Sequence, residues 1–573
     1  MSRRVVIVGL DGGAWPVLDG FMRSASMPNL KSLVEGGYRA DLRSTNPPIT
    51  PVAWASFATG MNPGRHGVFG FAAQQSAPGE YLPPPARRDA IASPSLWRRL
   101  SDHGLTSIVL SVPLTYPPEP IRGSMVTGMF TPGPHSRCTH PPGLKRELVE
   151  EGSMPRFGVE TAARLREAER SGDARAVTGA RLAFVADLED MTARLMRAVR
   201  HLGRSDFDLL AAVFVATDRV QHWMWDDVLR SSEGADGEVE DRIRGLYRLV
   251  DACVGELAEA AGDGLVLMMS DHGFGRCSGQ FSLNRYLVDA GYAHVRGASP
   301  LLRLRRALKG SAAYGGLRRL AGGRAVARRA LAAAQELDWS STMAFFVPGT
   351  YGVRVNLRGR EARGVVEPGE EYERLRSELR EAIADAVDPA TGCRPVARVD
   401  LREDVYDGGL VEWAPDLILV PDEGPGYVLT SGNPRDRRLV SHEPHSRGSH
   451  RFNGVLVAHG QGVASSLAPG RADIVDLAPT VMRYLGVSAE TEMDGVPLDA
   501  VVPADSPEGS LESTVAEAVG AARPTRSEFR ANSAPGVGAR DAERPSDEEA
   551  GDEETVDEED EVRRRLEDLG YLG

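Results

Sequence analysis

Apolar residues recur along this chain in two rhythms. Short and nearly unbroken runs fall at Val5–Leu10, Ser107–Val112, Leu209–Val215 and Gly264–Met269. Runs of that length suit strands covered on both faces, as in a parallel sheet flanked by helices. Between them the spacing changes to that of helices. A short one is predicted over Asn29–Glu35, one within Pro47 to Phe71, one over Leu96–His103, a long stretch from about Glu160 to Leu202, and another from about Val239 to Ala261. Strand and helix alternation of this kind predicts a doubly wound α/β sheet. Past residue 294 the pattern loosens. Tyr351–Asn356 reads as a short strand and Glu370–Val387 as a charged helix, which predicts an inserted cap region, residues 295–400, in a catalytic domain formed by 1–294 and 401–502. Buried-strand character resumes at Leu417–Val420 and Gly454–Ala458, and Asp473–Leu485 reads as a helix with Pro479 near its first turns.

Composition alters this picture in two places. From Leu301 to Ala334 the chain carries nine Lys or Arg residues, Arg303 to Arg329, with no acid before Glu336. It reads as a solvated helical face or as a basic cap that meets an anionic substrate or membrane surface. From about Pro503 to Glu559 the chain is rich in Ala, Ser, Pro, Asp and Glu with few aromatics, too little apolar area to order itself. Residues 503–573 are therefore expected to be a disordered acidic tail, ending in a short amphipathic pattern, Val562–Leu572, able to dock back or bind a partner. Much of the net charge of -14 lies in that tail, and the sign argues against nucleic-acid binding. The rest, 42 % hydrophobic over 573 residues, supports a sizeable core.

Cys138, Cys253, Cys277 and Cys393 are far apart with no CxxC pair, and read as reduced thiols. The N-terminal apolar run is too short for a signal-peptide core, and no stretch approaches the roughly 18 to 20 apolar residues of a membrane span. The expectation is a cytoplasmic protein with no transmembrane segment.

Candidate chemistry gathers at the strand ends, where open α/β sheets place their sites. Asp11 follows the first run and precedes Gly12-Gly13, where it can ligate a cation or cap a helix. Asp218 and His222 are four residues apart after Leu209–Val215, so a helix opening there puts both on one face, as a metal clamp or an ordinary surface pair. Asp271-His272-Gly273 follows Gly264–Met269 and suits two ligands on one ion, or a turn with an Asx-type hydrogen bond. His450 lies in a loop before Gly454–Ala458 and counts only with the others. This set of oxygen and nitrogen donors matches Zn²⁺, with Mn²⁺ as the alternative. Thr50, before Pro51 at a helix start, is either an N-cap or a nucleophile that a metal or base must activate.

VVIVGLDGG, TPVAWASFATGMNPGRHGVFGF, TDRVQH, SDHGFG, GSHRFNGVLVAHG and DIVDLAPTVMRYLGV, in that order, resemble the alkaline phosphatase superfamily. The resemblance is nearest to its type I phosphodiesterase/nucleotide pyrophosphatase branch and to bacterial predicted phosphohydrolases and phosphomutases, and spans roughly residues 4 to 500 together with the closing Leu566–Gly573. It implies a sheet of alkaline phosphatase type and two divalent metal ions, one bound by Asp11, Asp271, His272 and the Thr50 hydroxyl, the other by Asp218, His222 and His450. It also implies attack by Thr50 on the phosphorus of a small phosphodiester or phosphomonoester substrate, giving a phosphothreonine that water cleaves. A phosphomutase, with the insertion excluding water, is an alternative, as is a non-catalytic binding protein on the same fold. Two details depart from relatives. Nucleotide pyrophosphatases carry a phosphate-binding asparagine where this chain has Phe71, so that donor is missing or comes from elsewhere, such as Arg65 or Arg276. There is no Cys-x-Pro-x-Arg at the nucleophile, which disfavours a sulfatase.

Overall fold

The computed structural model describes residues 3–73, 84–296, 337–442, 447–488, 493–502, 558–559 and 561–566. The basic segment between Arg303 and Arg329 and almost all of the acidic tail lie outside the described residues.

Among the described residues the central sheet has nine strands. Their order is Ser466–Asp473, Tyr38–Arg43, Asn453–His459, Leu265–Met269, Val5–Leu10, Leu209–Phe214, Ser107–Leu110, Gly123–Val126 and Thr139–His140. The five from Leu265–Met269 to Gly123–Val126 pair in parallel, and reversed strands enter only at Asn453–His459 and at Thr139–His140. This is the mostly parallel α/β sheet that the apolar runs predict. Alternation along Val5–Leu10 explains why it is covered twice. Val6, Val8 and Leu10 enter a core shared with the helices Trp15–Arg23, Ala174–Leu202 and Glu238–Ala261. Val5 and Ile7 enter the opposite core with Thr50–Thr59, Leu96–Asp102 and Leu477–Tyr484. Each such buried aliphatic side chain stabilises the fold by about 2 kcal/mol.

Boundaries differ from expectation where capping chemistry intervenes. The stretch from Glu160 to Leu202 is two helices, Ala162–Ser171 and Ala174–Leu202. Gly172 turns left-handed at φ 70° and ends the first, and the Asp173 carboxylate accepts from the N–H groups of Arg175 and Ala176 to start the second. Asp473 is the last residue of an edge strand rather than the start of a helix. A 3₁₀ turn, Ile474–Asp476, follows it, held by reciprocal Asp473 and Asp476 side-chain bonds, and the helix proper is Leu477–Tyr484.

A second sheet, in the order Ala344–Val347, Gly352–Val355, Leu417–Pro421 and Val396–Leu401, packs against the helix Glu370–Ala384 around a core that includes Val355, Leu379 and Leu417. Leu417–Pro421 is thus a strand, but one that pairs inside this second sheet. The second sheet therefore extends beyond residue 400, where the sequence pattern closes the insertion. Near the C-terminus, residues 558–559 and 561–566 are helical. Val562 and Leu566 are buried with Ile49, Val52, Phe71 and Phe130, and Tyr116 donates to Glu558 at 2.8 Å. The described part of the terminal pattern docks back beside the Thr50 helix. No helix among the described residues is long and apolar enough to cross a membrane. All four cysteines are free, three of them buried.

Candidate metal centre

Asp11 leaves the end of Val5–Leu10, and Asp271 and His272 follow Leu265–Met269. Asp218 and His222 belong to Ala216–Ser232, the helix after Leu209–Phe214, as the i,i+4 spacing predicts. His450 lies in a short strand, Gly448–Arg451, rather than a loop, and is held opposite Phe274 by antiparallel pairing with Gly273–Arg276. The fold brings all of them, with Thr50, to the C-terminal edge of the central strands, and none is more than 9 % exposed. Asp11, Asp271 and His272 form one group and Asp218, His222 and His450 another, the ligand atoms within each lying within 4.8 Å of one another.

Hydrogen bonding fixes the direction of the imidazoles. His222 Nδ1 lies 3.1 Å from the Gly448 carbonyl, His272 Nδ1 3.0 Å from that of Gly273, and His450 Nδ1 3.0 Å from that of Pro48. A carbonyl only accepts, so each Nδ1 carries a proton and each ring turns its Nε2 to the other side. There the carboxylates wait. His222 Nε2 is 3.3 Å and His450 Nε2 3.5 Å from Asp218 Oδ1, and His272 Nε2 is 3.2 Å from Asp271 Oδ2. His222 Nε2 and His450 Nε2 are only 3.0 Å apart. Two lone pairs at that separation repel unless a cation lies between them.

Electrostatics point the same way. Burial lowers His272 to about 4 and His450 to about 3, so both rings are neutral near pH 7, the form that ligates. Burial first, and then the Asp271 and Asp218 carboxylates, push Asp11 well above the usual carboxylate range; burial, with Asp218 also contributing, raises Asp271 to about 7. Asp11 Oδ1 and Asp271 Oδ2 are buried without a hydrogen bond. Buried acceptors crowded together without donors are costly. The donor set fits divalent cations. Asp11, Asp271 and His272 would hold one and Asp218, His222 and His450 the other, each imidazole oriented by its carbonyl.

Thr50 sits between these groups and a helix without serving the helix. The N-cap is Ile49, Thr50 is the first helical residue, and no side chain caps the end. Its hydroxyl instead lies 3.3 Å from His272 Nε2.

The family model for type I phosphodiesterase / nucleotide pyrophosphatase matches residues 5–453. The chain belongs to that family. Its members are phosphoric ester hydrolases, and the chain is an enzyme of that class rather than a binding module. Human ectonucleotide pyrophosphatase / phosphodiesterase 5 is similar in structure, with 13 % identity, a TM-score of 0.47, and coverage of 87 % of this chain and 99 % of that one. Phosphonoacetate hydrolase from Sinorhizobium meliloti gives 14 %, 0.49, 84 % and 96 %. The alkaline phosphatase PafA gives 13 %, 0.49, 87 % and 99 %. No curated protein matches the sequence.

The backbone around the ligand-type residues is held by side chains that spacing alone does not single out. Ser44 donates to the Asp271 carbonyl at 2.6 Å, Thr217 to the Asp11 carbonyl at 2.6 Å, and Gln221 to the Gly12 carbonyl at 2.9 Å. Thr217 and Gln221 lie inside TDRVQH, a signal available in the sequence. Gly12 is obligatory. Its φ is +67°, and a Cβ there would meet Phe274 at 3.0 Å and the Asp218 Cα at 3.2 Å.

Phe71 is buried and stacked on Phe130 with ring centroids 6.0 Å apart. Arg65 is ion-paired with Asp494 at 2.7 Å, and Arg276, 70 % exposed, faces Asp226 at 3.5 Å. Among the described residues neither guanidinium hydrogen-bonds to Thr50 or to the six ligand-type residues.

Proposed function

We propose that this chain is a two-metal phosphohydrolase that cleaves a phosphodiester or phosphomonoester through a phosphothreonine on Thr50. One observation carries the reading. Three imidazole lone pairs and three buried carboxylates converge in two groups beside a threonine whose hydroxyl is released from capping its own helix. Divalent cations held by these groups, Zn²⁺ by the nitrogen and oxygen donor set, supply positive charge to the transferring phosphoryl group and lower the pKa of hydroxyl and water. Thr50 Oγ1 attacks phosphorus in line as the bond to the leaving oxygen breaks. Water then cleaves the Thr50–phosphorus bond and restores the hydroxyl. His272, beside Oγ1, fixes the direction of attack, and burial of the site keeps its charges unscreened.

Elemental analysis, with hydrolysis of bis-p-nitrophenyl and p-nitrophenyl phosphate, tests this in wild type and Thr50→Ala. Two metals per chain are expected in both proteins, with turnover at least about 10³-fold lower in the variant. Absence of metal, or turnover that survives the substitution, overturns the reading. The preferred ester separates diesterase from monoesterase.

A further inference from the structure

Residues 44–49 carry the chain from a sheet strand to Thr50, and they include Pro47 and Pro48, which have no N–H to donate. Side chains hold this loop in place. Ser44 donates to the Asp271 carbonyl at 2.6 Å, Thr45 to the Pro47 carbonyl at 2.8 Å, and His450 Nδ1 to the Pro48 carbonyl at 3.0 Å. Asp271 belongs to one ligand group and His450 to the other. The loop is thus tied to both groups before it reaches Thr50.

One further tie comes from outside the central sheet. The Tyr406 hydroxyl donates to the Asn46 carbonyl at 2.6 Å, across 360 residues of sequence. Tyr406 closes the short helix Arg402–Val405, whose Arg402 is paired with Asp416 at 3.1 Å. Its ring is buried with Phe69, Ala414 and Ile418, the last on the second-sheet strand Leu417–Pro421. The Tyr406 and Phe69 ring centroids are 5.3 Å apart. Burial raises the pKa of the phenol, so it keeps the proton it donates. Among the described residues Tyr406 hydrogen-bonds to neither Thr50 nor a ligand-type residue, so its influence on Thr50 passes through the loop. That influence matters because no side chain caps the Thr50 helix, and the hydroxyl lies where the loop delivers it, 3.3 Å from His272 Nε2. In-line attack tolerates little displacement, and a shift of about 1 Å can cost about a hundredfold in rate.

We propose that Tyr406 is a positioning residue for the Thr50 nucleophile, and that through it the second sheet sets where the hydroxyl stands between the two ligand groups. The inference rests on the phosphohydrolase reading. It gives the second sheet a part in the chemistry without any contact to the ligand groups.

Two tyrosines test it. Tyr406→Phe removes the hydroxyl and keeps the ring. Tyr372→Phe is the matched control, since Tyr372 also donates one bond of 2.6 Å, but to Asp416. The metal-loaded full chain is assayed with bis-p-nitrophenyl and p-nitrophenyl phosphate, and with inorganic phosphate as an inhibitor that binds without being attacked. In Tyr406→Phe, kcat/KM is expected to fall about 10- to 100-fold while the phosphate inhibition constant and metal content stay within about twofold. Tyr372→Phe should keep kcat/KM within about twofold of wild type. A bond that only braces the fold would lower the unfolding temperature in both variants without this split. Phe69→Leu, which leaves the hydroxyl but loosens the ring that carries it, should lower kcat/KM in the same way and reports even where Tyr406→Phe does not fold. An unchanged kcat/KM in a folded variant, an equal fall in Tyr372→Phe, or a phosphate constant that weakens in step overturns the positioning role and leaves the hydrolase intact. Hydrolysis of neither ester by wild type overturns the phosphohydrolase reading, and the role of Tyr406 with it.

Discussion

Asp416, just before the second-sheet strand Leu417–Pro421, and Asp271, just past the end of a central strand, are both wholly buried, and the fold treats them in opposite ways. Asp416 accepts from both terminal nitrogens of Arg360 at 2.8 and 2.6 Å, from Tyr372 at 2.6 Å and from the Val355 N–H at 2.7 Å, with Arg402 at 3.1 Å. Burial alone would raise its carboxyl, but these partners hold it down at about 2. Asp271 accepts one long bond, from the Gly12 N–H at 3.2 Å, and burial leaves it near 7. Where a carboxylate serves structure, the chain brings its own cations. Where Asp271 and Asp11 share a strand-end crevice, the chain brings imidazole lone pairs instead, and the balancing charge is the one the proposed metals would carry.

Removing a partner from the matched cluster should produce the largest stability effect. Asp416→Asn removes the buried anion that Arg360 and Arg402 share, leaving them only the less buried Glu361 and Glu403, and should cost about 3 kcal/mol in urea unfolding, with early proteolysis of the second sheet. A near-neutral result would mean that the second sheet does not depend on this cluster, and the contrast would lose one side.

Loading the other cluster should act in the opposite direction. Metal at about a thousand times its Kd should raise stability by about 4 kcal/mol, and a chelator should remove that gain. In Asp271→Asn the gain should mostly vanish, since a neutral amide neither cancels cationic charge nor ligates well. Equal stabilisation of variant and wild type would place the cation elsewhere.

The same pair predicts pH slopes of opposite sign. Asp271 has its folded value raised from 3.8 to about 7, so without metal its favourable contribution is complete below 3.8 and is lost as pH rises to 7, by about 1.4 kcal/mol per unit. Asp416 has its folded value depressed from 3.8 to about 2, so its contribution is present above 3.8 and about 2 kcal/mol of it is lost as pH falls to 2. Urea titrations of the metal-free protein across pH 2 to 8 measure both. Asp271→Asn should flatten the upper slope only, and a slope unchanged in that variant would assign it to another group.

These two clusters were not equally legible in the sequence. Asp11, Asp218 and Asp271 sit at or just after the ends of unbroken apolar runs, and short-range patterning marks them with their histidines. Asp416 immediately precedes the apolar run Leu417–Val420, but its partners come from positions 355, 360, 372 and 402, which no period connects. A strand near the sheet's edge was hidden for a related reason. Tyr38–Arg43 is half polar because one face is solvated, and its pairing with Asn453–His459 spans more than four hundred residues. Local capping misled the boundaries at Gly172 and Asp473, where one side chain or one left-handed residue outweighs helical spacing. Tyr406 carries no short-range signal either, because the carbonyl it holds is 360 residues away.

Thr50→Ala should have the smallest effect on stability and the sharpest consequence for the comparison. A threonine that caps a helix costs about 1 kcal/mol or more when truncated, because a buried N–H loses its acceptor. Thr50 makes no such bond, since Ile49 occupies the N-cap and the Thr50 hydroxyl faces His272. Truncation then removes one buried methyl and a hydroxyl with a single long contact, worth about 1 kcal/mol or less. Urea unfolding of the metal-loaded variant, measured with its turnover, sets the two quantities side by side. A small stability change with turnover down by three or more orders of magnitude assigns the hydroxyl to chemistry. A loss of about 2 kcal/mol or more with turnover largely retained would assign Thr50 to the frame, and the crevice beside it would then be a metal site without this nucleophile.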